Sequence, residues 1–296
     1  MLIKSDLDIQ FQLSDRTPML ALLHLHPSLR SRLRSPDSLF VEHLEPGVPP
    51  GEGELIDWTE FEDSFGNRCS RFVAPAGHLR LSGGSIVELD DAPDQTDWNA
   101  RQTPVEELPA DVLRYLLPSR YCEVDRFVQV SHDLFGSTSP GWRKAVAIRD
   151  WVHDKVRFDY MSARPTKTAM DVFSECVGVC RDFQHLAVTL TRCQNIPARY
   201  ATGYLGDVRA PYSGPGDFSA WYEVWLDGRW WTMDARHNGV RYGRTLMAVG
   251  RDAADVAITT SFGNADLKHF WVESNEVDRS GKIVELLQEQ SVVTAA

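Results

Sequence analysis

The sequence predicts an α+β protein, with an N-terminal antiparallel β-sandwich-like domain over residues 1–117 and a helix-plus-antiparallel-sheet domain over residues 118–296. Many short apolar-polar alternating runs, separated by Pro and Gly, fill the first 90 residues and are typical of a sandwich. Amphipathic helical patterns begin only after residue 118, and a strong hairpin signal follows them. At 296 residues the chain is long enough for two cores.

The N-terminal part begins with the clearest strand. From Ile3 to Leu13 apolar residues alternate with polar ones, and Ser5 is the one polar residue on the apolar side. Such alternation predicts a half-buried strand. Further short β-like runs are predicted near residues 19–26, 39–44, 55–62, 68–73 and 80–89.

Residues 90–117 are rich in Pro, Asp and Gln and are predicted to form a linker. Helices are then expected over residues 125–135, 142–156 and 169–173. Farther on, the Pro- and Gly-containing loop at residues 211–216 is expected to be a substrate-facing flap. The chain closes with a β-like run at 267–273 and a helix at 282–290.

The segment that organises the second domain surrounds Cys180. Gly178 precedes this cysteine, and an amphipathic helical pattern follows it until Pro197, which cannot continue a helix. Cys180 is therefore predicted to lie in the first turn of a buried helix. Because free N–H groups and the helix dipole favour an anion there, we expect the pKa of this thiol to be lowered.

A hairpin is predicted to face that helix. Residues 218–226 form its first strand, Asp227-Gly228 is a two-residue turn signal, and residues 229–235 return. In this register Asp234 lies diagonally from Ser219, with roughly 7–8 Å between backbone positions. A Cys-His-Asp triad would need an imidazole at position 219, because the histidine accepts the thiol proton and the aspartate orients it. That position holds serine.

Three linked motifs carry a family resemblance: G-V-C-R-D-F-Q-H-L, then N-I-P-A-R-Y-A-T-G-Y-L, then D-F-S-A-W-Y-E-V-W-L-D-G-R-W-W-T-M-D-A-R-H-N. Together they resemble the bacterial transglutaminase-like cysteine peptidase family, over about residues 145–238. The resemblance implies a transglutaminase-like (papain-like) second domain, with Cys180 as nucleophile and Asp234 as the residue that orients the histidine. The usual H-A-W of that family is S-A-W here, so its histidine is replaced by Ser219.

Three other histidines are candidates to replace the family histidine that is missing at position 219. His185 lies about 140° around the helix from Cys180 and is expected to point away from the sulfur. His237 falls on the opposite face of the strand from Asp234 in the simple register, although a bulge or strand end would turn it inward. His153, on the preceding helix, is more remote.

Two carboxylates are predicted to have structural roles. Asp182 at the helix start is read as a charge that favours the dipole. Glu223 shares the strand face of Ser219 and is expected to form an ion pair with Arg229 or Arg236.

Composition excludes several classes of partner. The net charge of −11 argues against nucleic acid and anionic membrane surfaces. No apolar run approaches the ~20 residues of a membrane span, and the N-terminus lacks an apolar signal core. Five cysteines without a framework spacing indicate a cytoplasmic protein.

No metal or other cofactor is expected. The Cys176 and Cys180 pair lacks a second close pair of ligands, and His24 and His26 are interpreted as surface histidines without a third ligand.

Three functions remain open. The first is a cysteine hydrolase or acyltransferase that forms a Cys180 thioester with a peptide or small amide substrate, with His237 or a group of the substrate as base. The second is a catalytically degenerate peptide-binding or scaffold protein of the same fold, with a protein partner. A thiol redox or metal module built on Cys176 and Cys180 is the third, and the spacing gives it little support.

Overall fold

The computed structural model describes residues 1–211 and 216–284. Within them, no helix is both long and apolar enough to cross a membrane. The N-terminal strands are β1 (Leu2–Leu13), β2 (Thr17–Ala21), β3 (Ser38–Leu44), β4 (Glu54–Leu55), β5 (Thr59–Glu62), β6 (Arg68–Ala74) and β7 (Gly77–Glu88).

The helical region follows, with α1 (Val124–Phe135), α2 (Trp142–Lys155), β8 (Arg157–Phe158), α3 (Ala169–Glu175), β9 (Val177–Gly178) and α4 (Cys180–Cys193). The remaining strands are β10 (Ala198–Tyr204), β11 (Phe218–Leu226), β12 (Arg229–Met233), β13 (Thr245–Gly250), β14 (Thr259–Ser261) and β15 (Ala265–Val277).

Two antiparallel sheets form the N-terminal sandwich. One has the order β15-β1-β7-β3-β4 and the other β14-β2-β6-β5. The alternation predicted for β1 is observed, since every second residue from Ile3 to Leu13 is buried, Ser5 included. Apolar side chains of both sheets meet in one core, with contributions from β1, β2, β3, β6 and β7. The predicted β-sandwich-like architecture is confirmed.

The last two strands return to this sandwich. β15 pairs with β1 from Leu2↔Val277 to Leu13↔Ala265, and β14 pairs with β2. The sequence-based division places residues 259–277 in the second domain, whereas their hydrogen bonds belong to the N-terminal sheets. A short β-like run at the end of a chain gives no indication of its partner, because strand pairing is a long-range choice.

The second domain is built around α4, whose residues from Asp182 to Arg192 are all buried. This helix packs against α1, α2, α3 and one face of the antiparallel sheet β12-β11-β10-β13. The mixed α+β class is confirmed, and α4 begins at the cysteine that the pattern indicates.

Three predicted segments remain. Residues 90–117 contain no strand or α-helix, only 3-10 turns at Val105–Glu107 and Leu113–Leu116. The flap predicted at 211–216 lies largely outside the described residues, as does the helix predicted at 282–290. Of the latter, Ile283 makes an isolated bridge to Val277.

Candidate active site

Local sequence explains why α4 begins at Cys180. The carboxylate of Asp182 accepts a hydrogen bond from the backbone N–H of Val179 at 3.0 Å, which caps the helix start. Gly178 permits this closeness, because a Cβ there would lie 2.6 Å from the Cβ of Asp182. Asp182 is fully buried, and that burial raises its pKa. Its carboxylate is therefore a cap as well as a charge near the dipole.

The surroundings of Cys180 are apolar. Part of the residue remains exposed, but it packs against a cluster that includes Leu22 and Cys69 of the N-terminal domain. Burial raises the pKa of its thiol to about 11, although the charge of Arg236 acts in the opposite direction. The expectation of a lowered pKa is therefore wrong, because desolvation outweighs the helix start. At neutral pH the resting group is the neutral thiol.

Asp234 lies just beyond the end of β12 and is almost fully buried. Its Oδ1 accepts hydrogen bonds from the backbone N–H groups of Arg236 at 3.0 Å and His237 at 3.1 Å. The same oxygen accepts from Nε2 of Gln184 at 3.2 Å, and Gln184 lies one turn after Cys180 on α4. One amide side chain thus ties the cysteine helix to the aspartate.

The second carboxylate oxygen of Asp234, Oδ2, accepts hydrogen bonds from a guanidinium and an imidazole. Nη2 of Arg244 and Nδ1 of His237 each lie 2.8 Å from Oδ2. Burial by itself would raise the pKa of Asp234, but the charge of Arg244 and the hydrogen bond of His237 hold it well below its usual range. Asp234 is therefore a carboxylate, so Nδ1 of His237 carries the proton of their hydrogen bond.

The position of His237 follows from the end of the strand. β12 ends at Met233, and the backbone turns around Oδ1 of Asp234, so His237 leaves the strand face to which the simple register assigns it. The alternative in which a strand end turns it inward is the arrangement observed. His153 is not remote from the site, because its Nδ1 donates to the carbonyl of Arg236 at 3.0 Å and so supports this turn.

Ser219 occupies the position expected for an imidazole. The predicted hairpin register is confirmed at Val224↔Trp231 and Leu226↔Arg229, and the ladder ends at Tyr222↔Met233. Ser219 is 6% exposed, and its Oγ has no hydrogen-bond partner among the described residues. It is a small, buried polar residue without a hydrogen-bond partner in the described part of the chain.

A cavity of about 380 Å³ brings Ser219 and His237 together. Residues of β15, which pairs with the N-terminal sheet, and residues of the second domain form its wall, and Cys180 is not among the described residues that line it. The lining residues are Tyr160, Leu205, Gly206, Asp207, Gly216, Asp217, Phe218, Ser219, Arg236, His237, Arg241, Trp271, Val272, Glu273, Ser274 and Asn275.

Two other candidates have structural roles. His185 is fully buried, stacks on Tyr121 with ring centroids 4.9 Å apart, and accepts a hydrogen bond from the backbone N–H of Ala253. Glu223 pairs with Arg199 at 2.6 Å, not with Arg229 or Arg236 as expected, because Arg199 lies directly opposite it on β10.

The metal candidates also have local partners. His24 is buried, with Nε2 3.1 Å from Oγ of Ser70 and Nδ1 3.3 Å from Asp37, so its interpretation as a surface residue is wrong. Cys176 and Cys180 are free thiols. Within residues 1–211 and 216–284, no cluster of three or more His, Cys, Asp or Glu side chains could hold a metal ion.

Comparison with known proteins assigns the family. Residues 128–235 match the transglutaminase-like superfamily. The structure of a candidate cysteine protease from Cytophaga hutchinsonii is 30% identical in sequence and superposes with a TM-score of 0.79, covering 96% of this chain and 94% of that one. The uncharacterized protein ML0607 of Mycobacterium leprae (strain TN) is 28% identical over 192 residues, which is 62% of this chain and 67% of that protein. The chain belongs to the transglutaminase-like superfamily.

Proposed function

We propose that the protein is a cysteine hydrolase or acyltransferase that cleaves a peptide or small amide bond through a thioester on Cys180. His237 serves as the base in place of the family histidine, whose position holds Ser219, and Asp234 positions the imidazole. One observation carries the proposal: the 2.8 Å hydrogen bond between Nδ1 of His237 and Oδ2 of Asp234, on a histidine that lines the cavity. This is the base-and-orienter half of a triad.

The reaction follows from the protonation states. Because Nδ1 of His237 donates to Asp234, Nε2 is the nitrogen that would accept the proton from the thiol of Cys180. The sulfur attacks the amide carbonyl, and the resulting imidazolium returns the proton to the leaving amine. Water or a second amine then attacks the thioester, with His237 again accepting and returning the proton.

The electrostatics favour a concerted first step. Because burial raises the pKa of Cys180 and so favours its thiol form, proton transfer to His237 that accompanies attack on the carbonyl is favoured over a free thiolate. The positive charge that develops on His237 lies against the ionised Asp234, which stabilises it. Free N–H groups at the start of α4 would stabilise the oxyanion.

The proposal is tested by hydrolysis of fluorescently labelled casein, with hydroxylamine added in parallel to detect acyl transfer. Cys180→Ala should abolish turnover, and His237→Gln should lower it roughly a thousandfold. His132→Gln is the matched control, since this exposed histidine on α1 lies outside the cavity. Equal activity in wild type and His237→Gln would contradict the assignment of the base.

A second candidate function is a peptide-binding module of the same fold. The observation that favours it is the raised pKa of Cys180, together with the absence of this residue from the described cavity wall. In that case wild type would neither hydrolyse casein nor form a hydroxamate, whereas peptides would still bind the cavity and His237→Gln would leave their affinity unchanged.

A further inference from the structure

We infer that Arg236 binds an anionic group of the substrate, so the protein acts on amides that carry a carboxylate close to the reacting bond. This inference rests on the proposed function and adds the substrate class. It starts from a guanidinium on the cavity wall that forms no ion pair with any carboxylate of the described residues within 4.0 Å.

The backbone of Arg236 is held in place from two sides. Its N–H donates to Oδ1 of Asp234 at 3.0 Å, and its carbonyl accepts from His153 at 3.0 Å. The guanidinium carbon lies 4.0 Å from the ring centroid of Phe158. Stacking on a ring leaves the planar edge of N–H donors available to a ligand. The side chain is thus preorganised, and its charge has no ion-pair partner in the described part of the chain.

Arg236 lies close to the residues that carry out the proposed reaction. Burial raises the pKa of Cys180, and the charge of Arg236 partly offsets that rise, so its field reaches the sulfur. It follows Asp234 by two residues and precedes His237 by one, so a group bound to it would lie beside the proposed base.

The other charged groups of the cavity wall are less suited than Arg236 to bind an anion. Arg241, the second arginine of the wall, already pairs with Asp207 at 3.3 Å. Burial raises the pKa of Asp217, and the charge of Arg236 acts in the opposite direction. The two side chains do not lie within ion-pair distance of each other. Glu273 is the remaining carboxylate of the wall, and it disfavours anions except where Arg236 offsets it.

A carboxylate is the ligand that suits this geometry. Guanidinium and carboxylate groups form two parallel hydrogen bonds, and such charge-assisted pairs are stronger than neutral ones. The substrate class is therefore an acidic peptide or an amide of an acidic amino acid.

The test compares two alkylating probes on the full chain, iodoacetate and iodoacetamide. Both react with the same thiolate of Cys180, so the ratio of their rate constants cancels the fraction of thiolate. We expect the iodoacetate-to-iodoacetamide ratio at Cys180, measured by mass spectrometry at pH 9, to exceed that of the uncharged thiol 2-mercaptoethanol. In Arg236→Gln the ratio should fall roughly tenfold, the lower end of what a charged cleft does for an oppositely charged reactant.

Two variants control this result. Arg236→Lys retains the charge and should retain most of the preference, even if Arg236→Gln folds poorly. Arg143→Gln removes another arginine that stacks on an aromatic ring, Trp98, but lies away from the cavity, and its ratio should match wild type. Added salt should lower the ratio in wild type and Arg236→Lys more than in Arg236→Gln.

A ratio in wild type equal to that of 2-mercaptoethanol would overturn the inference, as would equal ratios in wild type and Arg236→Gln. This outcome is separable from the proposed function, because alkylation needs no histidine. Absence of casein hydrolysis in wild type as well as in the Arg236 variants would count against the hydrolase, whereas the probe ratio reports only on Arg236.

Discussion

The imidazole of His237 is hydrogen-bonded at 2.8 Å to the carboxylate of Asp234, which precedes it by only three residues. In the related family pattern the histidine comes from the neighbouring strand, at the position of Ser219. Here one turn supplies both a carboxylate and the imidazole that it contacts. In the proposed mechanism Asp234 keeps the orienting role, and the histidine comes from its own turn and not from the neighbouring strand.

The first prediction concerns the vacated histidine position. In a His237→Gln background, Ser219→His should restore casein hydrolysis at least about tenfold, because an imidazole at 219 would regain base catalysis. Oγ of Ser219 has no partner, so its replacement costs no hydrogen bond among the described residues. Ser219→Gln in the same background adds comparable volume without a base and should restore nothing. Equal rates in the two double variants would show that position 219 no longer serves the reaction.

The second prediction concerns pH. Since burial raises the pKa of Cys180 to about 11, its alkylation by iodoacetamide should keep increasing above roughly pH 10, whereas that of a free thiol is half-maximal near pH ~8.5 and has nearly levelled off by then. Leu22→Ala opens the apolar cluster around the sulfur and should lower the midpoint, because the thiolate regains solvent. Mass spectrometry of the Cys180 peptide measures both. A wild-type midpoint near ~8.5 would mean that desolvation does not govern this thiol.

Local patterns predicted much of the fold. The alternation in β1, the helix that begins at Cys180 and the Asp227-Gly228 hairpin each depend on neighbours in the chain, so short segments contain the necessary information. The pairing of β15 with β1 joins residues more than 250 positions apart, and no local pattern encodes it.

The candidate site likewise combines features that local sequence encodes with features that depend on distant residues. Asp234 and Cys180 were found from motif and register, but the pKa of Cys180 depends on Leu22 and Cys69, which another domain contributes. The inward position of His237 did have a local signal. Aspartate readily accepts backbone N–H groups two or three residues later, so Asp234 could have been recognised as the start of a turn.

The third prediction concerns Gln184, which links α4 to the aspartate. Its Nε2 donates to the carbonyl of Ala220 and to Asp234, and its Oε1 accepts from the N–H of Ala235. Gln184→Ala should lower the free energy of unfolding by about 3 kcal/mol, since it leaves several buried groups unpaired. The measurement is urea unfolding at pH 7.

Gln184→Glu separates charge from shape in that prediction. A second carboxylate beside Asp234 has a raised pKa in the folded state, so the variant should be destabilised at pH 7 and recover as pH falls toward 5, where the new group is protonated. A loss of stability that is the same at pH 5 and pH 7 would contradict a direct interaction with the charge of Asp234.

The fourth prediction concerns the buried pair of Arg244 and Asp234. Their side chains are 7% and 1% exposed, and Nε of Arg244 also lies 2.8 Å from Asp94 of the linker segment. Arg244→Met should lower the free energy of unfolding by about 3–5 kcal/mol, because it leaves a buried carboxylate without its main counter-charge. It should also raise the pKa of Asp234, since the charge of Arg244 is the principal lowering influence.

The pH dependence of the free energy of unfolding distinguishes the role of Arg244 as a counter-charge from a role in packing. In wild type the lowered pKa of Asp234 contributes stability above pH ~4, which is lost as the pH falls below that value. In Arg244→Met this acid-dependent part should shrink, so wild type and variant should converge at low pH in urea unfolding. Arg32→Met, which breaks an exposed pair with Asp90, is the matched control and should change stability by no more than about 1 kcal/mol. A difference between wild type and Arg244→Met that is constant from pH 7 to pH 3 would mean that Arg244 acts by packing alone.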